Sequence, residues 1–282
     1  MKGYARTLSL TQKATKGFFM TFQLAGNGPK IYEEVMVPLW FGRWAEALIE
    51  QASLCISERV LDVACGTGVT TRLAKSKVGA SGQVDGLDIN APMLAKAKEL
   101  AGDLDIQWIE SDVCSSGLPS GSYDVILSRH GYHYFPEKPK ALSEFLRLLV
   151  PGGRLAFSIW DGHSAYTKAL CSAVAHHISP EIAEKQRAQR RTPPAEELKQ
   201  KVADQGFSDV AVQRQELMID VPLAPEFVPM HLASMPIAGA FLALEEDAQN
   251  ALIQEVAEML AAYVVGDRLV YPDAVNVVTG RK

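Results

Sequence analysis

The sequence predicts an α/β protein built on an open, mostly parallel β-sheet with helices on both faces. From residue 58 onward, short apolar segments alternate with segments of helical periodicity. The links between them are short, which predicts βαβ units with right-handed crossovers. A glycine-containing turn follows the first of these strands, at the edge of the sheet where open α/β folds bind ligands.

The first half of the chain contains five predicted strands with three predicted helices between them. The strands cover residues 59–64, 83–88, 105–110, 122–128 and 153–160. The helices cover residues 68–77, 91–101 and 138–149. Alternation of this kind is typical of a sheet that is covered by helices on both faces.

The second half is less regular and contains more helix. Helices are predicted at 164–178, 195–205 and 244–262, with strands at 209–220 and 274–280. A further helix is expected over 30–53, because apolar residues there recur near helical spacing. Prolines interrupt the segment that precedes helix 244–262.

These elements suggest a core with two additions. We expect residues 1–54 to form an N-terminal helical cap. The core would comprise 55–221 and 263–282, and 222–262 would be a helical lid packed over the ligand edge of the sheet.

Composition excludes several classes of protein. The chain has 282 residues and a formal net charge of −5, unlike the basic proteins that bind nucleic acids. The one basic cluster, Lys185–Arg191, is expected to be a solvated helix face. No segment resembles a signal peptide or membrane span, and the four cysteines form no disulfide or zinc motif. We therefore expect a cytoplasmic protein, monomeric or homodimeric, without a membrane partner.

The turn in VLDVACGTGVTT, residues 60–71, has three candidate ligands. A nucleoside triphosphate is disfavoured, because no Lys-Ser/Thr pair follows Gly68. A dinucleotide is disfavoured, because the third glycine of its fingerprint is replaced by Thr71. S-adenosylmethionine has no phosphate and needs only a close backbone approach and an acid for its ribose.

Two acids at predicted strand ends fit that third ligand. Asp88 ends the second strand, twenty residues after Gly68, where a carboxylate can accept from both ribose hydroxyls. It could instead cap the following helix. Asp112 follows the third strand and can accept from the adenine amino group, or could begin an Asx turn.

The motifs VLDVACGTG, GLDIN, ESDV, YDVILS and LVPGGRL, in this order, resemble the class I S-adenosylmethionine-dependent methyltransferases. The resemblance covers about residues 55–162 and is closest to the small-molecule branch, which includes ubiquinone, menaquinone and natural-product methyltransferases. It implies a Rossmann-like sheet of seven strands, with the last strand, 274–280, antiparallel beside the fifth.

The resemblance also assigns cofactor contacts by position. The methionyl end would be held by Asp62, Ala64, Gly66 and Gly68, with Tyr32 as a lid. Asp88 would bind the ribose, and Ser128 or Arg129 would lie beneath the sulfonium. The adenine would be contacted by Asn90, Met93, Asp112 and Val113.

Methyl transfer needs alignment and, for a poorly ionised acceptor, a general base. The loop after the fourth strand offers His130 and His133, which are the base candidates, with His163 as a weaker one. Each could equally be a structural residue. Acids near that strand do not form a magnesium-site pattern, so no metal is expected.

The acceptor pocket is expected to be apolar. Segment 228–244 would form one wall, and Trp40, Phe41 and Trp44 could form the other. Such walls favour a small, fairly hydrophobic acceptor, with oxygen, nitrogen and carbon all open as the methylated atom. The alternative function is cofactor binding without methyl transfer, in another reaction or in regulation. A nicotinamide-linked reductase is disfavoured, because the third glycine and a Tyr-x-x-x-Lys pair are both missing.

Overall fold

The computed structural model describes residues 28–282. Its strands are β1 (Arg59–Val63), β2 (Gln83–Asp88), β3 (Gln107–Glu110), β4 (Tyr123–Arg129), β5 (Leu149–Trp160), β6 (Ser208–Pro222), β7 (Val264–Val265) and β8 (Arg268–Arg281). They form one sheet in the order β3-β2-β1-β4-β5-β8-β6, with the two-residue β7 beside β8.

Eleven α-helices accompany these strands within residues 28–282. They are α1 (Gly28–Ile31), α2 (Gly42–Ala52), α3 (Val69–Val78), α4 (Ala91–Ala101), α5 (Lys138–Leu148), α6 (Ala165–His177), α7 (Pro180–Ala188), α8 (Ala195–Ala203), α9 (Ala224–Ala233), α10 (Ala238–Leu242) and α11 (Glu246–Met259). Between α1 and α2, residues Tyr32–Phe41 form a π-helix, whose wider turn is closed by the bond from Gly42 N–H to Val37 O.

The predicted fold class is confirmed. Strands β1 to β5 are mutually parallel, and β8 is antiparallel to both β5 and β6. The strand predicted at 274–280 lies inside β8, next to β5 as the resemblance implied, and β6 lies on its other side.

Two apolar cores lie on the two faces of the sheet. Alternate residues of β4 divide between them, since Val125 and Leu127 belong to one core and Ile126 to the other. All three are fully buried, which is the pattern of a central parallel strand. The sheet is therefore rigidly held on both sides, and its strand ends present fixed positions for a site.

The β6–β8 pair extends beyond the rest of the sheet. Pairing of β5 with β8 ends at Trp160↔Val275, whereas β6 and β8 stay paired as far as Pro222↔Arg268. The extension passes the carboxyl end of β5, and helices α9 to α11 connect its two strands.

Two helical details differ from the sequence prediction, and the sheet has eight strands where seven were expected, because the two-residue β7 is added beside β8. Helix α7 is additional, and it begins where the Ser179 hydroxyl accepts from the backbone of Glu181 and Ile182. The proline-rich segment contains α9 and α10, because Pro229 lies inside α9 without ending it.

Among residues 28–282, no helix is both long and apolar enough to cross a membrane.

Candidate active site

A cavity of about 350 Å³ opens at the carboxyl edge of the parallel strands. One end of it is lined by the turn after β1 and by the ends of β2 and β3. The other end is lined by aromatic and histidine side chains. They belong to the loop after β4, to Trp160 at the end of β5, and to the N-terminal and C-terminal helices.

The turn after β1 presents its backbone to the cavity. Ala64 and Gly66 have φ values of +56° and +58°, and both line the cavity. A Cβ on Gly66 would meet only the Met93 methyl group, at 3.2 Å, so the absent side chain leaves room for a ligand. Gly68 does not line the cavity, because it packs on Trp108, whose ring would lie 2.4 Å from an added Cβ.

Asp88 is directed at this turn. Its Oδ2 accepts from Gly66 N–H and its Oδ1 from Asn90 N–H, both at 2.8 Å. Burial raises the pKa of this carboxyl group. The N-cap of α4 is Asn90, whose side chain accepts from Met93 N–H, so Asp88 does not cap that helix. Asn90 itself does not line the cavity.

The end of β3 brings a second acid to the same end of the cavity. Asp112 Oδ1 accepts from Cys114 N–H at 2.9 Å, which is the Asx turn that the sequence left open. Asp112 and Val113 nevertheless line the cavity. Among the described lining residues, Asp88 is the only other acid. Met93 also lines it and belongs at the same time to one apolar core.

Two predicted contacts lie behind the cavity wall. Asp62 is 1% exposed, its Oδ2 accepts from the Thr71 hydroxyl at 2.6 Å, and its Oδ1 has no partner within residues 28–282. Burial raises the pKa of Asp62 to about 7. Ser128 is fully buried beneath Gly131, where an added Cβ would meet its hydroxyl at 2.6 Å. Neither side chain lines the cavity.

The N-terminal helix is fixed over the turn by polar contacts. Arg129 Nη2 donates to the Tyr32 hydroxyl at 3.1 Å, and Arg129 Nε donates to Thr70 Oγ1 at 3.2 Å. Glu33 forms an ion pair with Arg72 and accepts from the Thr67 hydroxyl. Tyr32 thus lies at the cavity, as the lid assignment requires.

His130 and His133 both line the far end of the cavity. The His130 ring stacks on Trp160 with centroids 4.0 Å apart. Both ring nitrogens of both histidines are buried without a partner in the described part of the chain. Burial, with a smaller effect of Arg129, lowers the pKa of His130 well below its ordinary value. Burial likewise lowers the pKa of His133 to about 3.

Helices α6 and α7, with the two residues that follow α7, form a wall that the sequence did not predict. Its cavity-lining residues are Thr167, Leu170, Cys171, Gln186, Gln189 and Arg190. The expectation that Lys185–Arg191 is wholly solvated is therefore wrong. Gln186 and Arg190 are 7% and 5% exposed, whereas Lys185, Ala188 and Arg191 face solvent. Three residues at helical spacing are buried here, namely Ala183, Gln186 and Arg190. That spacing is the sequence pattern that could have predicted a buried face.

Arg190 is held by a buried ion pair. Its Nη1 and Nη2 each donate to Asp273 at 2.8 Å, and Asp273 comes from the extended part of β8. The guanidinium carbon lies 3.7 Å from the ring centroid of Trp160. Trp160 therefore contacts both this neutralised cation and His130.

Other predicted residues contribute unequally. Segment 228–244 supplies His231 and Met235 to the cavity, while Trp40 and Phe41 line it from the N-terminal side. Trp44 is 1% exposed and belongs to the apolar core instead. His163 does not line the cavity, because its Nε2 is bonded to Arg187 O at 3.0 Å.

The described acidic side chains near β4 form ion pairs and do not cluster as metal ligands. Within residues 28–282, no three His, Cys, Asp or Glu side chains cluster as ligands of an ion. Asp124, the acid of β4, pairs with Arg59, and Asp161 pairs with Arg214.

The strand order, with antiparallel β8 between β5 and β6, is the fold of the class I methyltransferases. Among solved structures, the phosphoethanolamine N-methyltransferase 2 of Haemonchus contortus, in complex with S-adenosyl-L-methionine, superposes with a TM-score of 0.59. That alignment covers 91% of this chain and 57% of the other at 20% identity, and it supports the fold alone.

Sequence comparisons identify the family. A profile described as a methyltransferase domain matches residues 60–153. The ubiquinone/menaquinone biosynthesis C-methyltransferase of Pseudomonas syringae pv. tomato is 31% identical over 183 residues, which are 59% of this chain and 72% of that protein. The chain belongs to the class I S-adenosylmethionine-dependent methyltransferase family, in the small-molecule branch.

Similarity to another relative is higher over a shorter stretch. The 2-phytyl-1,4-naphtoquinone methyltransferase of Thermosynechococcus vestitus is 34% identical over 144 residues. The match covers 50% of this chain and 63% of that protein, so the chain spans less than two thirds of its length.

Proposed function

We propose that the protein is an S-adenosylmethionine-dependent methyltransferase that acts on a small, fairly hydrophobic molecule. The observation that carries the proposal is the continuity of one cavity. It runs from Gly66, Asp88 and Asp112 to an aromatic end at Trp40, Phe41 and Trp160. A methyl donor at the first end and an acceptor at the second would share one enclosed space.

The residues at the first end fit S-adenosyl-L-methionine. Asp88 would accept from the ribose hydroxyls, and Asp112 from the adenine amino group. The bare backbone at Gly66 would admit the methionyl chain. The Oδ1 of Asp62 is buried and has no partner among the described residues. The Asp62 carboxylate would attract the ammonium group of the methionyl chain across the turn, because a nearby positive charge stabilises the ionised form.

The bound cofactor supplies an activated methyl group that a nucleophile can take by in-line displacement, leaving S-adenosyl-L-homocysteine. The protein would contribute alignment and exclusion of water. Orientation of two bound reactants can lower a barrier by about 7–11 kcal/mol. The aromatic walls and the buried residue Leu170 supply the dry surroundings that keep such alignment effective.

His130 and His133 are the proposed groups beside the acceptor. Their lowered pKa values keep both rings neutral at physiological pH, so each offers an unprotonated nitrogen. Such a nitrogen is a proton acceptor for a phenol or an acidic carbon, although the lowered pKa makes each ring a weaker base than an ordinary histidine. A protonated histidine at this position would lie near the positive charges of Arg129 and Arg190. The negative charge of the acceptor anion, formed in the same step, would therefore have to stabilise the imidazolium.

The remaining assignments are proposals of the same kind. Segment 222–262 would act as the lid over the acceptor end, which His231 and Met235 support by lining the cavity. Residues 28–54 would form the described part of the cap, which Tyr32 supports from the other side, whereas residues 1–27 of the expected cap lie outside the described residues. Cytoplasmic location stays a prediction, and the four free cysteines are consistent with a reducing compartment.

A labelled-methyl assay tests the function. The protein would be incubated with a deuterated-methyl cofactor and a panel of phenols, amines and activated methylene compounds. Mass spectrometry would then follow S-adenosyl-L-homocysteine and labelled products. Labelled product on a panel member supports the proposal. Tight cofactor binding by calorimetry, with no product from any acceptor class, would favour the alternative of a cofactor-binding protein without methyl transfer.

A further inference from the structure

Helix α7 and the residue that caps its C-terminal end place two glutamine amides at the acceptor end of the cavity, each with an unused hydrogen-bond donor. Gln186 is 7% exposed, and its Nε2 has no partner within residues 28–282. Gln189 Nε2 is also buried and without a partner there. Both side chains line the cavity. Both donors face the cavity, so they are available to a ligand group that accepts from them, and a ligand that covers them without accepting leaves them unsatisfied at a cost of about 1–3 kcal/mol each.

The geometry of α7 brings these donors together. Gln189 directly follows α7 and keeps helical backbone angles, φ −63° and ψ −23°. Residues three apart in such a turn share one face, with Cβ atoms about 5–6 Å apart, so both amides project from the same side. The orientation of Gln189 is fixed further, since its Oε1 accepts from the Tyr134 hydroxyl at 3.0 Å. The amide nitrogen is therefore the part of Gln189 that remains for a ligand.

The charge of this wall defines the ligand chemistry. Among the described residues that α6, α7 and the α7–α8 link place at the cavity, Arg190 is the only charged one, and Asp273 neutralises it. The wall therefore offers neutral donors and no net positive charge. The groups beside it are aromatic rings, namely Trp40, Tyr134 and Trp160.

We propose that Gln186 and Gln189 are specificity-determining residues that bind a neutral hydrogen-bond-accepting oxygen, a carbonyl or ether, on an aromatic acceptor. The inference rests on the proposed function and deepens it, because it assigns the polar end of the acceptor to α7. An acceptor of the same shape without that oxygen leaves both amides unsatisfied and binds more weakly.

A matched pair of probes tests the inference without any turnover. 2-Acetylnaphthalene carries a carbonyl oxygen, and 2-isopropenylnaphthalene has nearly the same shape without it. Affinities for the full chain, saturated with S-adenosyl-L-homocysteine, would be measured by ligand-observed NMR. The wild type is expected to bind the ketone about tenfold more tightly than the alkene. Gln186→Met and Gln189→Met should each reduce that preference at least threefold while leaving alkene affinity within twofold.

Gln200→Met is the matched control. Gln200 is exposed on α8 and donates to Asp204, so its replacement should leave the preference unchanged. Circular dichroism would verify folding of all variants. Absence of a ketone preference in the wild type, its survival in both variants, or failure of both probes to bind would overturn the inference. Failure of S-adenosyl-L-homocysteine itself to bind would instead refute the proposed function.

Discussion

Replacement of Asp88 tests the cofactor site at its most constrained point. The carboxylate already accepts from Gly66 and Asn90 N–H, which fixes its plane against the turn. A hydrogen bond to a charged group contributes about 1.5–3 kcal/mol, so two ribose hydroxyls would contribute about 3–6 kcal/mol. Asp88→Ala should therefore weaken binding of S-adenosyl-L-homocysteine by about 10² to 10⁴-fold.

Isothermal titration calorimetry measures this loss, and a second ligand assigns it to the ribose. The 2′,3′-dideoxy analogue of S-adenosyl-L-homocysteine lacks both hydroxyls, so the same substitution should change its affinity less than fivefold. Asp105→Ala, at an exposed acid before β3, is the control and should bind both ligands as the wild type does. Equal affinity of wild type and Asp88→Ala for S-adenosyl-L-homocysteine would refute the assignment.

Three stability predictions follow from other features. Since burial raises the pKa of Asp62 to about 7, stability of the ligand-free protein should fall as pH rises from about 4 to 7, by at most about 4 kcal/mol, and level off above. Asp62→Asn should remove this dependence of the unfolding free energy on pH, as measured by urea unfolding. Parallel pH profiles for wild type and variant would show that Asp62 is not its cause. Arg190→Met should cost about 3–5 kcal/mol by leaving Asp273 uncompensated, and Arg190→Met/Asp273→Leu should recover most of it; an unrecovered double variant would show that the pair is not the reason. Gly68→Ala should destabilise by about 1–3 kcal/mol more than Gly152→Ala, because both have positive φ but only Gly152 has open space at Cβ; equal melting shifts would argue against the clash.

The core of the fold was predictable because its pattern is local. Each parallel strand is a short apolar run, and each is followed by a link that starts a helix. Segments β1, β2 and β4 were placed within one residue of their observed bounds. The antiparallel position of β8, by contrast, came from the resemblance, since no local pattern specifies which strand lies beside it.

The sequence named Gly66, Asp88 and Asp112 at one end of the cavity but missed the wall that α6 and α7 form at the other, for a related reason. Gly66 and Asp88 occur in a motif whose geometry follows from the strand before it. Gln186 lies on α7 and Arg190 in the turn that follows it, and polar residues interrupt the apolar face of that helix, so the periodicity resembles that of a surface helix. Only the tertiary partner Asp273, 83 residues away, makes burial of Arg190 possible.

The π-helix has a consequence for how the cavity is enclosed. Tyr32 and Phe41 stand at its two ends, yet their rings stack with centroids 5.1 Å apart, and both line the cavity. The nine residue steps from Tyr32 to Phe41 would make about two and a half turns of ordinary α-helix, which would place the two rings on opposite sides. The widened turn, in a segment that contains Pro38, returns the second ring to the side of the first. The number of residues in this segment is thus as much a determinant of the enclosure as their identity, and removing one would separate the pair even with both aromatics retained.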